Sequence, residues 1–446
     1  MNGFTSNIMI ITHFLASLLW LSACSGRPAS GTGNTPPESD STEQRVLTGA
    51  EVLVAEKMNL LKGRKVAIVA NQTSLLNGET HLVDTLKSLG VDIKRVFAPE
   101  HGFRGDHDAG KHVSNSKDIR TGLPVVSLYG SNKKPTPAQL ADVDLVIFDI
   151  QDVGARFYTY ISTLAYVMEA CAEQKKTLMV LDRPNPNGWY VEGPVLQEGY
   201  QSFVGLHKIP TVHGMTVGEY ATMVNQEGWL KGGAKCLLEV VTCKGYKHAM
   251  KWEETGLPWI APSPNLTTEY SAYLYPMLCW FEGMAASVGR GTDHPFEVLA
   301  APWHKGYHYQ IRRDSAMGNE TPSGFQYYGL EASYIQFTPR AIAGKSSNPE
   351  YLGRPCYGAK FQNRVDGRSL FMAGIALAKN LEEESHNVKL AEPLYKESLS
   401  LLMGSNAFET MVKAQKTEEE IYQSWQPEVD RFKIMRKKHL LYPDFN

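Results

Sequence analysis

The 446-residue sequence lacks the short motifs that identify several large enzyme classes. The turn after its first predicted strand reads NQTSLLNG, so the GxGxxG fingerprint of a dinucleotide site is missing. It also contains no GxxxxGK[ST] phosphate loop, no GxSxG nucleophile elbow and no HExxH zinc motif. These absences leave nucleotide cofactors without support, predict no cofactor at all, and disfavour a serine hydrolase.

The chain also has few cysteines and a small net charge. The formal net charge is -2 and no long basic run occurs, which gives no electrostatic case for a nucleic-acid partner. The six cysteines include no CxxC pair, and their wide spacing disfavours a zinc site. Five of them are expected to be buried thiols, with or without one disulfide: Cys171, Cys236, Cys243, Cys279 and Cys356.

The N-terminal segment is predicted to direct export. Residues 8–21 form an apolar run of the length of a signal-peptide core, short for a bilayer span. The run leads into LSAC, ending at Cys24, which resembles the lipobox of bacterial lipoproteins, although no Lys or Arg precedes it. Residues 1–23 are therefore predicted to be a lipoprotein signal peptide, with an ordinary signal peptide as the alternative. Residues 24–45, rich in Gly, Ser, Pro and Thr, are predicted to be a flexible tether.

This N-terminus predicts a localisation too. Lipidation of Cys24 would anchor the protein to a membrane on the periplasmic side. Because Ser25 rather than Asp follows the cysteine, the outer membrane is the expected destination.

From residue 46 the chain alternates between short apolar runs and segments of helical spacing. Continuous runs such as KVAIVA, residues 65–70, are typical of strands buried on both faces. Further strands are predicted at 91–98, 124–129, 144–150, 177–181 and 237–242, and helices at 81–89, 137–141, 158–174 and 216–229. Strands separated by helices predict an α/β fold with a Rossmann-like, doubly wound and mainly parallel sheet over residues 46–294. Residues 295–446 are predicted to form a smaller mixed α/β domain.

Polar side chains follow four of the predicted strands. Because the carboxyl ends of parallel strands meet at one edge of a sheet, where ligands bind in such folds, these loops predict a site. The alternative is that they are solvated turns. The residues concerned are Asn71, Glu100, His101, Asp152, Arg156, Arg183 and Asn185.

The loop VFAPEHGFRGDHDAGKH is the densest of these. Glu100 follows a rigid proline, and partial burial would raise its pKa into the range that proton donation to a leaving oxygen requires. His101 could orient the substrate or share the proton. Glycoside cleavage generally needs a second carboxylate, for which Asp149 and Asp152 are candidates. A metal site is the alternative, with ligands drawn from His101, Asp106, His107, Asp108 and His112.

Several motifs in order resemble the exo-β-N-acetylmuramidase (NamZ-like) family, glycoside hydrolase family 171, formerly domain of unknown function 1343. They are PEHGFRG, FDIQDVGARFYTY, LDRPNPNG, VEGP, PTVHGMTVGEYA, SPNLTTEYSAYLYP and SVGRGTDHPFE. The resemblance implies a Rossmann-like domain and a smaller C-terminal domain with the cleft between them. It also implies release of N-acetylmuramic acid from the non-reducing end of peptidoglycan fragments, with muramyl saccharides as ligands. Two alternatives are a non-catalytic muropeptide-binding lipoprotein and a metal-dependent sugar hydrolase or deacetylase.

Residue by residue, Glu100 matches the proposed catalytic glutamate of the family, with His101 adjacent. The lactyl carboxylate of muramic acid suits an arginine fork, and each of four arginines lies in a motif loop. These are Arg104, Arg156, Arg183 and Arg290. The expected contacts to hydroxyls, to the acetamido group or to the sugar ring are Asn71, Tyr158, Tyr160, Asn185, His213 and Asn265.

Overall fold

The computed structural model describes residues 45–105, 116–304, 306 and 324–445. Its α-helices are α1 Gly49–Glu56, α2 Leu82–Ser88, α3 Pro137–Leu140, α4 Tyr160–Glu173, α5 Val217–Gln226, α6 Glu269–Leu278, α7 Gly367–Ser385, α8 Ser398–Met403, α9 Ala407–Lys413 and α10 Glu418–Arg436. Its strands are β1 Lys65–Ala70, β2 Leu75–Leu76, β3 Thr80–His81, β4 Asp92–Ala98, β5 Ser116–Lys117, β6 Pro124–Ser127, β7 Leu145–Asp149, β8 Thr177–Leu181, β9 Leu237–Val241, β10 Val298–Ala301, β11 Gly324–Tyr327, β12 Leu330–Phe337 and β13 Cys356–Phe361. Short 3₁₀ helices cover Met58–Leu61, Lys231–Gly233, Trp252–Thr255, Cys279–Gly283 and Lys437–His439.

Seven of these strands form one sheet in the order β5-β6-β4-β1-β7-β8-β9. All neighbours pair in parallel except β5, which is antiparallel to β6. In the central strand, Val66 pairs with Ile93 on one side and with Leu145 on the other. The predicted mainly parallel sheet is confirmed, and β1 and β8 have the predicted bounds.

Helices cover both faces of this sheet, which explains why its strands are continuously apolar. Alternate residues of β1 enter two different hydrophobic clusters. Val66 and Ile68 pack with side chains of α1 and α2, whereas Ala67 and Val69 belong to the cluster that contains α4 and α5. Every residue of β7 is buried. A strand with two covered faces has no polar side, so the period-2 pattern of a half-exposed strand is missing.

The C-terminal part of the chain contains a second, antiparallel sheet in the order β10-β13-β12-β11. The smaller mixed α/β region that the sequence predicted is therefore present. It shares a hydrophobic core with the parallel sheet: Trp280 packs edge-on against Phe371 of α7, with 5.1 Å between ring centroids. The predicted boundary between residues 294 and 295 stays a prediction.

The predicted signal peptide, residues 1–23 with Cys24 behind it, and nearly all of the tether lie outside the described residues. Within the described ranges, no helix combines the length and the hydrophobicity needed to cross a membrane. The five cysteines of these ranges are buried and none is in a disulfide.

Candidate active site

The polar loops that the sequence singled out meet at the carboxyl edge of the parallel sheet. From β1 the strand order first continues to β4 and β6 on one side, and the chain then returns to place β7 on the other side of β1. Such a reversal of strand order leaves a crevice at the carboxyl edge of the sheet. Hydrogen bonds hold the loops after β1 and β7 together. Ser74 Oγ donates to the Asp149 carbonyl at 2.5 Å, and the Gln151 N–H donates to Thr73 Oγ1 at 2.9 Å.

A cavity of about 240 Å³ opens beside these loops. Five residues that the sequence predicted for the site line it: Glu100, His101, Tyr158, Tyr160 and Arg290. The remaining lining is rich in aromatic side chains and contains one further carboxylate. It consists of Tyr129, Phe157, Thr159, Phe203, Val204, Ser263, Tyr275, Cys279, Glu282, Phe296 and Leu402.

Two hydroxyl groups hold the Glu100 carboxylate. Thr159, the residue before α4, donates from Oγ1 to Glu100 Oε2 at 3.1 Å. The hydroxyl of Tyr129 also hydrogen-bonds this carboxylate, and burial together with the charge of Glu100 raises the pKa of Tyr129. Tyr129 therefore stays protonated and acts as a donor. Glu100 is half-buried, so its carboxylate is fixed by neighbours and still accessible from the cavity.

The PEHG turn explains how Glu100 is presented. His101 has φ 71° and Gly102 has φ 83°, so two successive residues occupy the left-handed region. Histidine is among the few residues besides glycine that are enriched there. The Gly102 N–H closes the turn by donating to the Pro99 carbonyl at 3.1 Å. His101 is buried and lines the cavity, next to the carboxylate that precedes it.

Tyrosines form much of the cavity wall. Tyr158 packs edge-on against Tyr160 and Tyr275, with ring centroids 4.9 and 5.6 Å apart. Tyr160 Oη donates to the Pro262 carbonyl at 2.7 Å, which fixes the ring. Burial, aided by the nearby Glu100, raises the pKa of Tyr160, so its hydroxyl remains neutral. Fixed aromatic rings with polar tips suit the mixed apolar and hydroxylated faces of a sugar.

Glu282 is the lining carboxylate that the sequence did not reveal. It lies in the 3₁₀ helix Cys279–Gly283, and its Oε1 is 2.5 Å from Arg290 Nε. Burial alone would lower the pKa of the Arg290 guanidinium. The neighbouring Glu282 carboxylate outweighs this effect and raises the pKa. Arg290 could be predicted because it lies in the motif SVGRG. Glu282 lies in the segment CWFEGMAA, whose only notable feature is one acidic residue in an apolar run. Cavity residues therefore include two carboxylates and one arginine.

Other predicted residues are engaged elsewhere. Arg104 is outside the cavity lining and pairs with Asp84 at 2.8 Å and Asp118 at 2.9 Å. Asp149 is fully buried and holds Arg183 through two bonds, of 2.6 Å to Nε and 3.0 Å to Nη2. These pairs fix the loops at the sheet edge. Neither Arg104 nor the Asp149–Arg183 pair lines the cavity.

Asp152 is buried. Its Oδ2 accepts from the Gly154 N–H at 2.7 Å, while Oδ1 has no hydrogen-bond partner among the described residues. Burial raises the pKa of Asp152 to about 7. A charge on Asp152 would raise the pKa of Tyr158 and of Tyr160, so Asp152 lies near both. Asp152 does not itself line the cavity.

Arg156 is fully buried and donates only to carbonyl oxygens in the described residues. Nη1 donates to Pro194 and Ile209, and Nη2 donates to Leu402, at 2.6, 2.8 and 2.8 Å. Burial without an acidic partner lowers the pKa of Arg156 to about 9. Leu402 lines the cavity, so Arg156 supports its wall from behind.

The asparagine and histidine side chains that were predicted to contact the substrate form hydrogen bonds with backbone groups instead. Asn71 Oδ1 accepts from the Thr73 N–H at 2.9 Å, and Asn185 Nδ2 donates to the Met215 carbonyl at 2.8 Å. His213 Nδ1 accepts from the Met215 N–H at 3.2 Å, and burial lowers the pKa of His213 to about 3. Asn265 Nδ2 donates to the Lys345 carbonyl at 2.9 Å. None of these four side chains is in the cavity lining.

The metal alternative rests largely on Asp106, His107, Asp108 and His112, which lie outside the described residues. Within the described ranges, no group of three or more His, Cys, Asp or Glu side chains is placed to hold a metal ion.

Comparison with known proteins covers both halves of the chain. Family models described as exo-beta-N-acetylmuramidase NamZ, N-terminal and C-terminal, match residues 66–270 and 273–442. The peptidoglycan beta-N-acetylmuramidase NamZ of Bacillus subtilis (strain 168) is 36% identical over 447 residues, covering 97% of this chain and 99% of that protein. A crystal structure of a DUF1343 family protein from Bacteroides fragilis NCTC 9343 has a TM-score of 0.73 and 38% identity, covering 90% of this chain and 100% of that one. A second, from the same strain, has a TM-score of 0.74 and 31% identity, covering 89% and 99%.

Proposed function

Because the chain belongs to the exo-beta-N-acetylmuramidase NamZ family, we propose that it releases N-acetylmuramic acid from the non-reducing end of peptidoglycan fragments. The observation that carries this proposal is the cavity that contains Glu100, Glu282 and Arg290 among aromatic walls. At about 240 Å³ it lies below the usual size of a pocket for a drug-sized ligand. It therefore suits one terminal sugar better than a continuous glycan chain, as exo cleavage requires.

Glu100 is the proposed acid and base of the reaction. The PEHG turn and the hydroxyls of Thr159 and Tyr129 hold its carboxyl group at the cavity wall. In the proposed reaction Glu100 gives its proton to the glycosidic oxygen as the bond to the anomeric carbon breaks. A water oxygen then forms the new bond to that carbon, and the proton that the water loses passes to the Glu100 carboxylate, which restores the acid.

Glu282 is the proposed second carboxylate. Asp149 is paired with Arg183 and Asp152 is buried outside the cavity lining, whereas Glu282 lines the cavity. Its contact with Arg290 fixes the Glu282 carboxyl group at the cavity wall, where it can stabilise positive charge at the anomeric carbon or act as nucleophile.

Arg290 is the proposed receptor for the lactyl carboxylate. Of the four arginines in motif loops, it is the one in the cavity lining. Its Nε and Nη2 face Glu282, which leaves Nη1 as a donor for a ligand carboxylate. The Glu282 pair also fixes the guanidinium in place before substrate binds.

Export is part of the same proposal. The LSAC sequence ending at Cys24 and the Gly/Ser/Pro-rich tract behind it support a lipoprotein tethered in the periplasm, with the outer membrane as its site. Such a protein would meet peptidoglycan fragments where they are generated.

The direct test is product analysis with the disaccharide in which N-acetylmuramic acid is linked β-1,4 to N-acetylglucosamine. We expect mass spectrometry to show both free sugars, at the same rate with and without a chelator. Intact disaccharide that is nevertheless bound would favour a non-catalytic binding protein. Loss of activity with chelator would favour a metal-dependent hydrolase.

A further inference from the structure

A second cavity, of about 420 Å³, is separate from the proposed active site. It is bounded by residues 194–200, by the start of α9 and by one face of α10, and none of its lining residues lines the first cavity. Neither the catalytic proposal nor any predicted residue uses it. Its size and composition are those of a binding site.

Aromatic side chains form its apolar surface. Trp425 and Phe408 are buried with only their lining faces available, and Tyr200 is half-buried at the edge. Trp425 is 5% exposed, so its ring is fixed by packing and presents only a small apolar surface to the cavity.

The other side chains that line the cavity are mostly polar. Gln197 donates from its amide to the Glu428 carboxylate, and Ser424 and Asn406 are exposed at the opening. The charge of Glu428 is balanced by Lys208, 3.3 Å away. No Lys, Arg or His is among the lining residues that the structure describes. The cavity therefore offers amides, hydroxyls and aromatic faces with little net charge.

We propose that this cavity is a second glycan-binding site, which takes a neutral N-acetylated sugar of the peptidoglycan strand. Aromatic faces pack on the C–H face of a pyranose, and amides and hydroxyls bond its hydroxyls and acetamido group. A stem peptide carries carboxylates, for which the lining has no cation. The choice of polymer rests on the proposed function, whereas the site itself rests on the cavity.

Arg156 connects the two cavities. It donates to the carbonyl of Pro194, which lines the second cavity, and to that of Leu402, which lines the first. Gly404 allows close packing beside Arg156. It has φ 78°, and a Cβ atom at this position would lie 2.8 Å from the Cα of Leu196. A strand bound at the second cavity would thus be held at a fixed distance from Glu100. Such tethering raises the local concentration of chain ends without changing the chemistry.

Neighbouring positions on α10 offer a matched pair of variants. Ser424 lines the cavity and Gln423 does not, and both are exposed. Ser424→Trp should fill the cavity, and Gln423→Trp adds the same side chain outside it. Binding to purified, peptide-free glycan strands is measured in the Glu100→Gln background so that the polymer is not consumed. Activity on a small aryl β-N-acetylmuraminide is measured with Glu100 intact.

We expect Ser424→Trp to weaken strand binding at least fivefold and to leave kcat/KM on the small substrate within twofold of the parent, with Gln423→Trp unchanged in both. Ala407→Trp fills the same cavity from α9 and provides a second blocked variant should the first misfold. Strand binding equal to that of the parent in a folded blocked variant overturns the proposal. So does a loss that appears only with strands bearing stem peptides, which would indicate a peptide site. If the parent leaves the small substrate intact, the proposed function fails, while a binding difference between the variants still supports the site.

Discussion

Thr159 Oγ1 donates a hydrogen bond of 3.1 Å to Glu100 Oε2, joining the residue before α4 to the carboxylate after β4. This bond ties the proposed acid to the rigid start of a 14-residue helix. A carboxylate held in this way keeps one orientation towards the cavity, which general acid catalysis requires.

Thr159→Val should lower kcat because it removes this bond while keeping the shape of the side chain. Hydrogen bonds to charged groups contribute about 1.5 kcal/mol or more, so the loss should be about tenfold. Thr159→Ser keeps the hydroxyl and should stay close to the parent. Steady-state kinetics on the disaccharide checks both variants. Equal losses in the two would show that packing, and not the hydroxyl, matters at this position.

Arg290→Ala should reduce the preference for muramic acid over glucosamine. Loss of one charged hydrogen bond to the lactyl group corresponds to about ten- to a hundredfold in selectivity. Comparison of kcat/KM on aryl β-N-acetylmuraminide and β-N-acetylglucosaminide measures it. Arg104→Ala is the control, since Arg104 pairs with Asp84 and Asp118 outside the cavity and should leave the selectivity unchanged. An undiminished preference in Arg290→Ala would assign the lactyl group to another residue.

Asp152→Asn should change how stability depends on pH. Burial raises the pKa of Asp152 from 3.8 to about 7, so the stability that its neutral form contributes is complete below pH 3.8 and is lost as pH rises to about 7. The asparagine variant lacks this loss. We therefore expect urea unfolding from pH 4 to 8 to show that the free energy of unfolding of the variant rises relative to that of the parent up to about pH 7. Above pH 7 the difference should stay constant.

Asp430→Asn, at an exposed position of α10, is the control and should follow the parent at every pH. A difference between Asp152→Asn and the parent that does not vary with pH would mean that Asp152 titrates normally in the folded protein.

The mature N-terminus should begin at Cys24 and carry lipid. Mass spectrometry of the protein isolated from membranes checks this, and Cys24→Ser should release the protein from the membrane fraction. An unmodified terminus or cleavage elsewhere would refute the lipoprotein proposal and leave the enzymatic one intact.

The strands of the parallel sheet could be predicted because burial on both faces is visible as a local apolar run. KVAIVA became β1 with the expected bounds, and FDI placed the end of β7 where polar loops begin. Glu100 could be singled out for a local reason too, since it follows a strand and a proline.

Pairings between distant residues could not be predicted. Nothing near Asp149 in sequence shows that Arg183 neutralises it, or that Arg104 is held by Asp84 and Asp118. Glu282 was missed for the same reason. Its place in the cavity depends on the fold bringing the 3₁₀ helix Cys279–Gly283 to the same cavity as the parallel-sheet loops, which no short motif records.

The turnover of Glu100→Gln on the natural disaccharide tests the catalytic role of Glu100 most directly. Glutamine keeps the size and the acceptor for Thr159 but has no proton to exchange, and positioned acid/base catalysis contributes about 10² to 10⁴-fold. We expect a loss of at least a hundredfold with normal folding and substrate binding, and a smaller loss on substrates with an activated aryl leaving group. Turnover within a few-fold of the parent on the disaccharide would contradict it.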